Sequence, residues 1–137
     1  MSTHALVGVM HGSNYKAIYV HSDGDLSYVG KVLLENYNSS KANHLVSMGN
    51  CSMLGKEIGE KIDFNDRIQY DSEDVATQCR FYTRDRDERT PFTTYDSIDE
   101  ATRSEYQHIY VMKDGDWYYV VDKTLVRLAD ALSKEIL

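Results

Sequence analysis

The feature that most constrains the fold of this chain is a two-residue turn, Asp114-Gly115, between two runs of β-forming residues. Asp-Gly favours a tight antiparallel hairpin, because both turn residues of such a hairpin adopt positive φ. Counting outward from the turn pairs Met112 with Trp117, and the following pairs alternate between the two faces. Residues 108–121 therefore predict an antiparallel hairpin with an aromatic face.

A second hairpin is predicted near the N-terminus. Residues 5–10 and 15–20 are rich in β-forming side chains and flank a turn that contains Gly12. Pairing across that turn sets Val7 against Ile18. Hairpins near both ends of the chain predict a sheet whose strands are largely antiparallel.

The spacing of apolar and capping residues predicts three to four helices. Residues 26–37 carry apolar side chains three and four positions apart, which is typical of one helical face. Ser39 or Ser40 is expected to cap a second, short helix. Ser97 and Glu100 have the spacing of a capping box, which predicts a third helix directly after them.

The C-terminal segment is expected to be a helical extension that Asp122 caps. Its apolar residues fall on one stripe, namely Leu125, Leu128, Leu132 and Ile136. Residues 76–83 add a further predicted strand. The chain is therefore expected to form one α+β domain over residues 1–137, with an antiparallel sheet of about five strands, three to four helices packed on it, and residues 122–137 as the extension.

The chain carries a formal net charge of -7, concentrated in its second half. Residues 1–68 hold 7 acidic and 6 basic side chains, whereas residues 69–137 hold 15 acidic and 9 basic ones. This balance argues against nonspecific nucleic-acid binding, which depends on Lys and Arg that neutralise phosphates. Two interpretations remain: the charge keeps a small protein dispersed, or an acidic face imitates nucleic acid and occupies a basic groove on a partner.

Cysteine content and hydropathy bear on the compartment. Cys51 and Cys79 are far apart and form no CxxC motif, so we expect two free thiols in a reducing compartment. The first residues lack the basic start and apolar run of a signal peptide. No apolar stretch approaches the roughly 20 residues that span a bilayer. We therefore expect a cytoplasmic protein without membrane contact, in which an unpaired hairpin edge would support a homodimer.

The best candidate for a binding site is the segment 84–89, in which Arg alternates with acidic residues. Arg84, Arg86 and Arg89 place three guanidinium groups close together, and a guanidinium presents a planar fork to a phosphate or carboxylate. The competing interpretation is a solvated loop whose charges pair with one another at the surface.

A weaker candidate is the group His21, Asp23 and Asp25, whose imidazole and carboxylates are possible ligands of a divalent cation. A strand end, a turn and a helix cap explain the same residues, so we expect no metal site there. The chain has no nucleophile elbow, phosphate-binding glycine loop or dinucleotide fingerprint. We therefore expect no catalytic residues and no cofactor.

Four stretches of the chain, 16–24, 28–37, 45–55 and 84–88, form a recognisable series. They are similar to the patterns IYxHxDG, yvGxxLxxxY, LxxxGxxSxLG and RDRGE. In this order they resemble a family of small uncharacterised tailed-bacteriophage proteins, and the likeness spans most of residues 6–120. This chain departs from the family at Ser22 and Asp25, where the relatives usually carry aromatic residues.

The resemblance implies a phage origin, expression in the cytoplasm of the host bacterium, and no assigned reaction. We therefore expect a phage accessory protein that acts by stoichiometric binding, in host takeover or anti-defence. Its target is expected to be a host immune protein that it inhibits, or a small anionic or nucleotide signal that it sequesters. A minor virion structural or assembly protein is the alternative, and a small hydrolase is the third interpretation.

Two sets of residues are candidates for these roles. The candidates for ligand binding are Arg84, Arg86, Arg89, His21, Asp23, Tyr28 and Tyr82. The candidates for partner binding are Asp85, Asp87, Glu88, Tyr110, Trp117 and Tyr119. Tyrosine and tryptophan suit such surfaces because each combines a large apolar body with a polar tip.

Overall fold

The computed structural model of the chain describes residues 3–61, 77–104, 106 and 108–136. The described strands are β1 Ala5–His11, β2 Asn14–Ser22, β3 Cys51–Met53, β4 Arg80–Phe81, β5 Thr93–Tyr95, β6 His108–Lys113, β7 Asp116–Val121 and β8 Thr124–Arg127. A π-helical turn, Leu26–Gly30, leads into the first helix. The described helices are α1 Lys31–Asn36, α2 Ser39–Ser47, α3 Tyr82–Arg86, α4 Ile98–Thr102 and α5 Leu128–Ile136.

The strands form one mixed sheet in the order β4-β3-β2-β1-β6-β7-β8, and β5 pairs with the first half of β2. The pairs β1–β6 and β2–β3 are parallel, and the other pairs are antiparallel. The α+β class is confirmed, but the expectation of an antiparallel sheet of about five strands is matched only in part, because the sheet has eight described strands and two of its strand pairs are parallel. Strands as short as β3, β4 and β5 carry too few residues for an alternation to be recognised.

Both hairpins have the predicted register. Val7 pairs with Ile18 across β1 and β2, and Met112 pairs with Trp117 across β6 and β7. Turn chemistry sets this register, because Gly12 (φ 64) and the Asp114-Gly115 pair adopt the positive φ that these tight turns require.

The sheet carries a core on each face. The larger core lies under α1, α2 and α5, where Leu33, Leu45 and Leu128 are fully buried. The smaller core lies on the opposite face around Tyr15 and Val111, and α4 contributes Ala101 to it. The smaller core covers only part of its face of the sheet. The rest of that face carries polar side chains.

Buried hydrogen bonds connect the middle of the sheet to the turn after β2. The Tyr15 hydroxyl donates to the carbonyl of Tyr110 at 2.6 Å, and the Tyr110 hydroxyl donates to the carbonyl of Gly24 at 2.7 Å. The Gly24 amide donates to the Thr3 carbonyl at 2.8 Å. A Cβ atom at Gly24 would lie 2.8 Å from the Cβ of Ala5, so only glycine fits at this position.

Several local expectations need correction. The cap of α2 is Asn38, whose side chain accepts from the Lys41 amide at 2.8 Å, and not Ser39 or Ser40. The strand expected over 76–83 is limited in the described residues to β4, and the chain continues directly into α3. The capping box is confirmed, because the Ser97 hydroxyl accepts from the Glu100 amide at 3.1 Å.

The C-terminal helix begins later than the sequence pattern predicts. Asp122 (φ 50) and Lys123 (φ 65) form a third two-residue hairpin turn, and β8 then pairs with β7. Asp122 is therefore a turn residue and not a helix cap, and the first part of the expected extension is a strand. The apolar pair Leu125-Val126 packs on the sheet as part of β8, and the helix starts at Leu128.

Two thiols and a phenol are buried together beside β3. The Tyr37 hydroxyl donates to the Gly55 carbonyl at 2.7 Å and lies 3.2 Å from the Cys79 Sγ. Cys51 and Cys79 are both free and buried, and burial raises the pKa of each thiol above its ordinary value. Both thiols therefore stay protonated in the folded protein when exposed thiols would ionise.

The turn assignment predicts the sign of a glycine substitution. Lys123→Gly should stabilise the protein by about 0.5–1 kcal/mol, because it removes the cost of a left-handed non-glycine residue. A helix over these residues would instead be destabilised by glycine. Urea unfolding measures the difference. It is best made in an Asp99→Asn background, which removes the exposed ion pair between Lys123 and Asp99 from both proteins.

The buried thiols predict a loss of stability at alkaline pH. The pKa of each thiol is raised on folding, so its contribution is complete below the unfolded pKa, near 9.0, and declines as the pH rises above it. The free energy of unfolding should fall between pH 8 and pH 10, and a Cys51→Ala, Cys79→Ala variant should show a smaller slope. Equal slopes for the two proteins would contradict this account.

Candidate functional site

The polar part of the smaller-core face is built by the second half of β2. Side chains alternate along a strand, so Tyr19 and His21 lie on the same face as Tyr15 and Ala17. Ala5 pairs with Val20 in the β1–β2 register, which brings His4, the residue before β1, beside His21. The two imidazole rings lie 4.7 Å apart, measured between centroids.

Tyr19 joins the two imidazoles by hydrogen bonds. Its hydroxyl oxygen lies 2.7 Å from Nδ1 of His4 and 2.5 Å from Nδ1 of His21. Burial raises the pKa of Tyr19, so its hydroxyl keeps one hydrogen, which it can donate to only one imidazole. The other imidazole must donate its own Nδ1 hydrogen, so two neutral rings in this cluster have opposite tautomers.

One hollow lies on the His4 side of Tyr19 and has a volume of about 510 Å³. We call it the aromatic hollow; its lining residues are His4, Tyr19, Tyr95, Ser104 and Tyr106. The ring centroids of Tyr19 and Tyr106 are 5.3 Å apart, which is the separation of an aromatic pair. This hollow therefore offers flat ring surfaces together with hydroxyl groups.

A second hollow lies on the His21 side and has a volume of about 280 Å³. We call it the basic hollow; its lining residues are His21, Ser22, Ser52, Met53, Arg80, Tyr82 and Arg86. The guanidinium carbon of Arg86 lies 5.4 Å from the centroid of the Tyr82 ring. The basic hollow combines two guanidinium groups and an imidazole within one small concave surface.

The two hollows are neighbours, and together we call them the ligand face. Asn50 connects a lining residue of one hollow to a lining residue of the other. Its side-chain oxygen accepts from the Tyr19 amide at 2.8 Å, and its carbonyl accepts from the Tyr82 amide at 3.2 Å. The rings of Tyr19 and His21, one in each lining, have centroids 5.8 Å apart. A single ligand of modest size can therefore contact both hollows.

The tyrosines of the ligand face are neutral hydroxyl donors at physiological pH. Burial raises the pKa of Tyr19, Tyr82 and Tyr95, so none of the three carries a phenolate charge that would repel an anion. At Tyr82, Arg86 opposes this rise and Glu88 adds to it. The Glu88 amide donates to the Tyr82 carbonyl at 3.0 Å, so an acidic residue adjoins the basic hollow.

Arg84 has a structural position. Its guanidinium pairs with the buried Asp85 at 2.9 Å and also donates to three backbone carbonyls. Those carbonyls belong to Ile58, Gly59 and Cys79. The Asp85 carboxylate also accepts from the Phe81 amide at 2.9 Å, which satisfies a donor at the start of α3.

The predicted ligand-binding residues are therefore divided. The lining of the basic hollow includes His21, Tyr82 and Arg86, but Arg84 and Arg89 do not belong to it. The exposed Asp23 (φ 56) occupies the turn after β2, and the Tyr28 hydroxyl donates to the Leu54 carbonyl at 2.8 Å. The expectation that the three arginines of segment 84–89 act together is corrected by this arrangement.

Sequence reasoning missed a second group of lining residues, namely His4, Tyr19, Arg80, Tyr95 and Tyr106. A signal for His4 was present, because the register that pairs Val7 with Ile18 also sets His4 opposite His21. The other lining residues are contributed by separate parts of the chain that meet through β2, and no local pattern connects them.

Three of the six predicted partner-binding residues are buried. Asp85, Tyr110 and Trp117 are buried. The Trp117 indole donates to the Tyr37 carbonyl at 2.8 Å, and the half-buried Tyr119 is bonded to Nδ1 of His108 at 2.6 Å. The aromatic face of the β6–β7 hairpin therefore belongs to the core in this structure, and the expectation that it binds a partner stays a prediction. Asp87 and Glu88 are exposed.

Within the described part of the chain, no group of three or more His, Cys, Asp or Glu side chains is arranged to hold a metal ion. The Asp25 carboxylate accepts a hydrogen bond from the Ser27 hydroxyl at the start of the π-helical turn. None of the described helices has the length and apolar character needed to cross a membrane.

Comparisons of the chain with protein-family models, with curated proteins and with solved structures found no match. The information on function therefore comes from the geometry of the ligand face.

The different roles of the neighbouring arginines predict different effects on stability. Arg84→Ala should lower the free energy of unfolding by about 3 kcal/mol, because it removes an ion pair that the buried Asp85 carboxylate makes. Arg86→Ala should lower it by no more than about 1 kcal/mol, because contacts of exposed charged groups contribute little. Chemical denaturation of the two variants tests the assignment, and equal effects would contradict it.

Proposed function

We propose that the protein acts by stoichiometric binding of a small anionic molecule at the ligand face. The observation that carries this proposal is the convergence of Arg80, Arg86 and His21 on one small hollow. Guanidinium groups bind phosphate and carboxylate through charge-assisted hydrogen bonds, which are roughly twice as strong as neutral ones.

The surroundings of the basic hollow favour a specific site over a general surface attraction. The formal charge of the chain is -7, so an anion approaches against the overall field and is held only by the local donors. The concave shape supports this, because ligand sites are usually clefts with a few convergent polar groups. Tyr82 adds a neutral hydroxyl to that lining.

The resemblance to tailed-phage proteins supplies a biological setting for this proposal. In an infected bacterium, a protein that captures a small anionic signal would act against host defence without any catalytic step. Inhibition of a host protein is less well supported, because three of the six candidate partner-binding residues are buried.

The proposal predicts that inorganic phosphate binds at the basic hollow. Arg86→Ala should weaken phosphate binding about tenfold or more, which corresponds to the loss of one charge-assisted contact. Glu88→Gln should strengthen binding, because it removes an acidic neighbour of Tyr82. Isothermal titration calorimetry at low ionic strength measures both effects, since screening by salt weakens exposed charge contacts.

Arg89→Ala is the matched control, because Arg89 is an exposed arginine that does not line the hollow. It should leave phosphate binding unchanged within about twofold, which is roughly 0.4 kcal/mol. Equal losses for Arg86→Ala and Arg89→Ala would indicate a diffuse charge effect and overturn the proposed site. Recovery of a bound phosphate ester intact after denaturation would support capture, whereas recovery of its hydrolysis products would show turnover.

A further inference from the structure

The aromatic hollow and the basic hollow differ in the chemistry of their lining residues. The aromatic hollow is lined by rings, including Tyr95 and Tyr106, and none of its described lining residues is Lys or Arg. The basic hollow is lined by Arg80 and Arg86. A ligand that fills both must therefore be flat and unsaturated at one end and anionic at the other.

The hollows are close enough for one small molecule to reach both. Tyr19 lines the aromatic hollow and His21 lines the basic hollow, and these residues are separated by one position on the same strand. The Tyr106 ring lies 5.3 Å from the Tyr19 ring, measured between centroids. Asn50 accepts hydrogen bonds from the amides of both Tyr19 and Tyr82. One tyrosine from each hollow therefore lies close to Tyr19 or to its partner Asn50.

Hydrogen-bonding groups line the aromatic hollow beside its rings. The lining combines the His4 imidazole and the Ser104 hydroxyl with the rings of Tyr95 and Tyr106. Ring edges that combine donors and acceptors, such as those of nucleobases, suit a lining of this kind. Nucleobases also stack on tyrosine rings, because every base has a flat π face.

From these observations we infer that the ligand of this face is a mononucleotide, with its base in the aromatic hollow and its phosphate in the basic hollow. The inference rests on the proposed function and adds the identity of the second half of the ligand. A nucleic-acid polymer fits less well, because polymer binding needs many phosphate contacts and this chain has a net charge of -7.

The test compares whole nucleotides with their two fragments. The probes are the 5′-monophosphates of adenosine, guanosine, cytidine and uridine, the four free nucleosides, and ribose 5-phosphate, with affinities measured by isothermal titration calorimetry. At least one nucleotide should bind tenfold or more tightly than its nucleoside and than ribose 5-phosphate.

Two variants assign the ends of that nucleotide. Arg86→Ala should reduce nucleotide affinity to that of the nucleoside and leave nucleoside binding unchanged. Tyr106→Ala should reduce nucleotide affinity to that of ribose 5-phosphate and leave ribose 5-phosphate binding unchanged. Circular dichroism checks that each variant is folded, and Tyr95→Leu, in the same lining, replaces Tyr106→Ala if that variant does not fold.

The outcomes separate this inference from the proposed function. If ribose 5-phosphate binds as tightly as every nucleotide, anion capture stands and base recognition is rejected. If no phosphorylated probe binds, or if nucleosides bind as tightly as nucleotides, the anion site itself is rejected. If a single-stranded oligonucleotide binds more tightly than every mononucleotide, with a strong dependence on salt, the ligand is a polymer and the inference is overturned.

Discussion

The antiparallel register of β1 and β2 determines which side chains meet at the ligand face. In this register Ala5 lies opposite Val20, so His4 reaches His21 and the Tyr19 hydroxyl contacts both imidazoles. Because strand side chains alternate, a shift of one residue would move Tyr19 to the opposite face of the sheet. The hydrogen-bonded cluster therefore exists only in this register.

Packing on both faces of β2 holds that register in place. Ile18 and Val20 enter the larger core, whereas Tyr15 and Ala17 enter the smaller one. Gly8 contributes by close approach, since a Cβ atom there would lie 2.7 Å from the Tyr15 ring. On the face of the smaller core, the first half of β2 is thus apolar, at Tyr15 and Ala17. In its second half, polar residues replace apolar ones on that face, and the ligand face begins there.

The sequence predicted the structure where the determinants are local, and failed where they are not. Turn residues and alternation predicted both hairpins in register, including Val7 with Ile18. The parallel pairing of β1 with β6 depends on contacts between distant segments, so no local pattern revealed it. The turn at Asp122 was misread because aspartate suits a helix cap as well as a left-handed turn. The site was predicted only in part for the same reason: Arg86 was found in a charged run, whereas Arg80 lines the hollow through the pairing of β4.

An anion is expected to bind where the polar half of β2 meets the basic hollow. Titration of isotope-labelled protein with inorganic phosphate, followed by amide chemical shifts in NMR spectra, tests it most directly. The largest chemical-shift changes are expected at residues 19–22, 52–53 and 80–86. Changes confined to other surfaces, such as the groove between α1 and α5 lined by Leu34 and Leu132, would contradict it, as would the absence of any change.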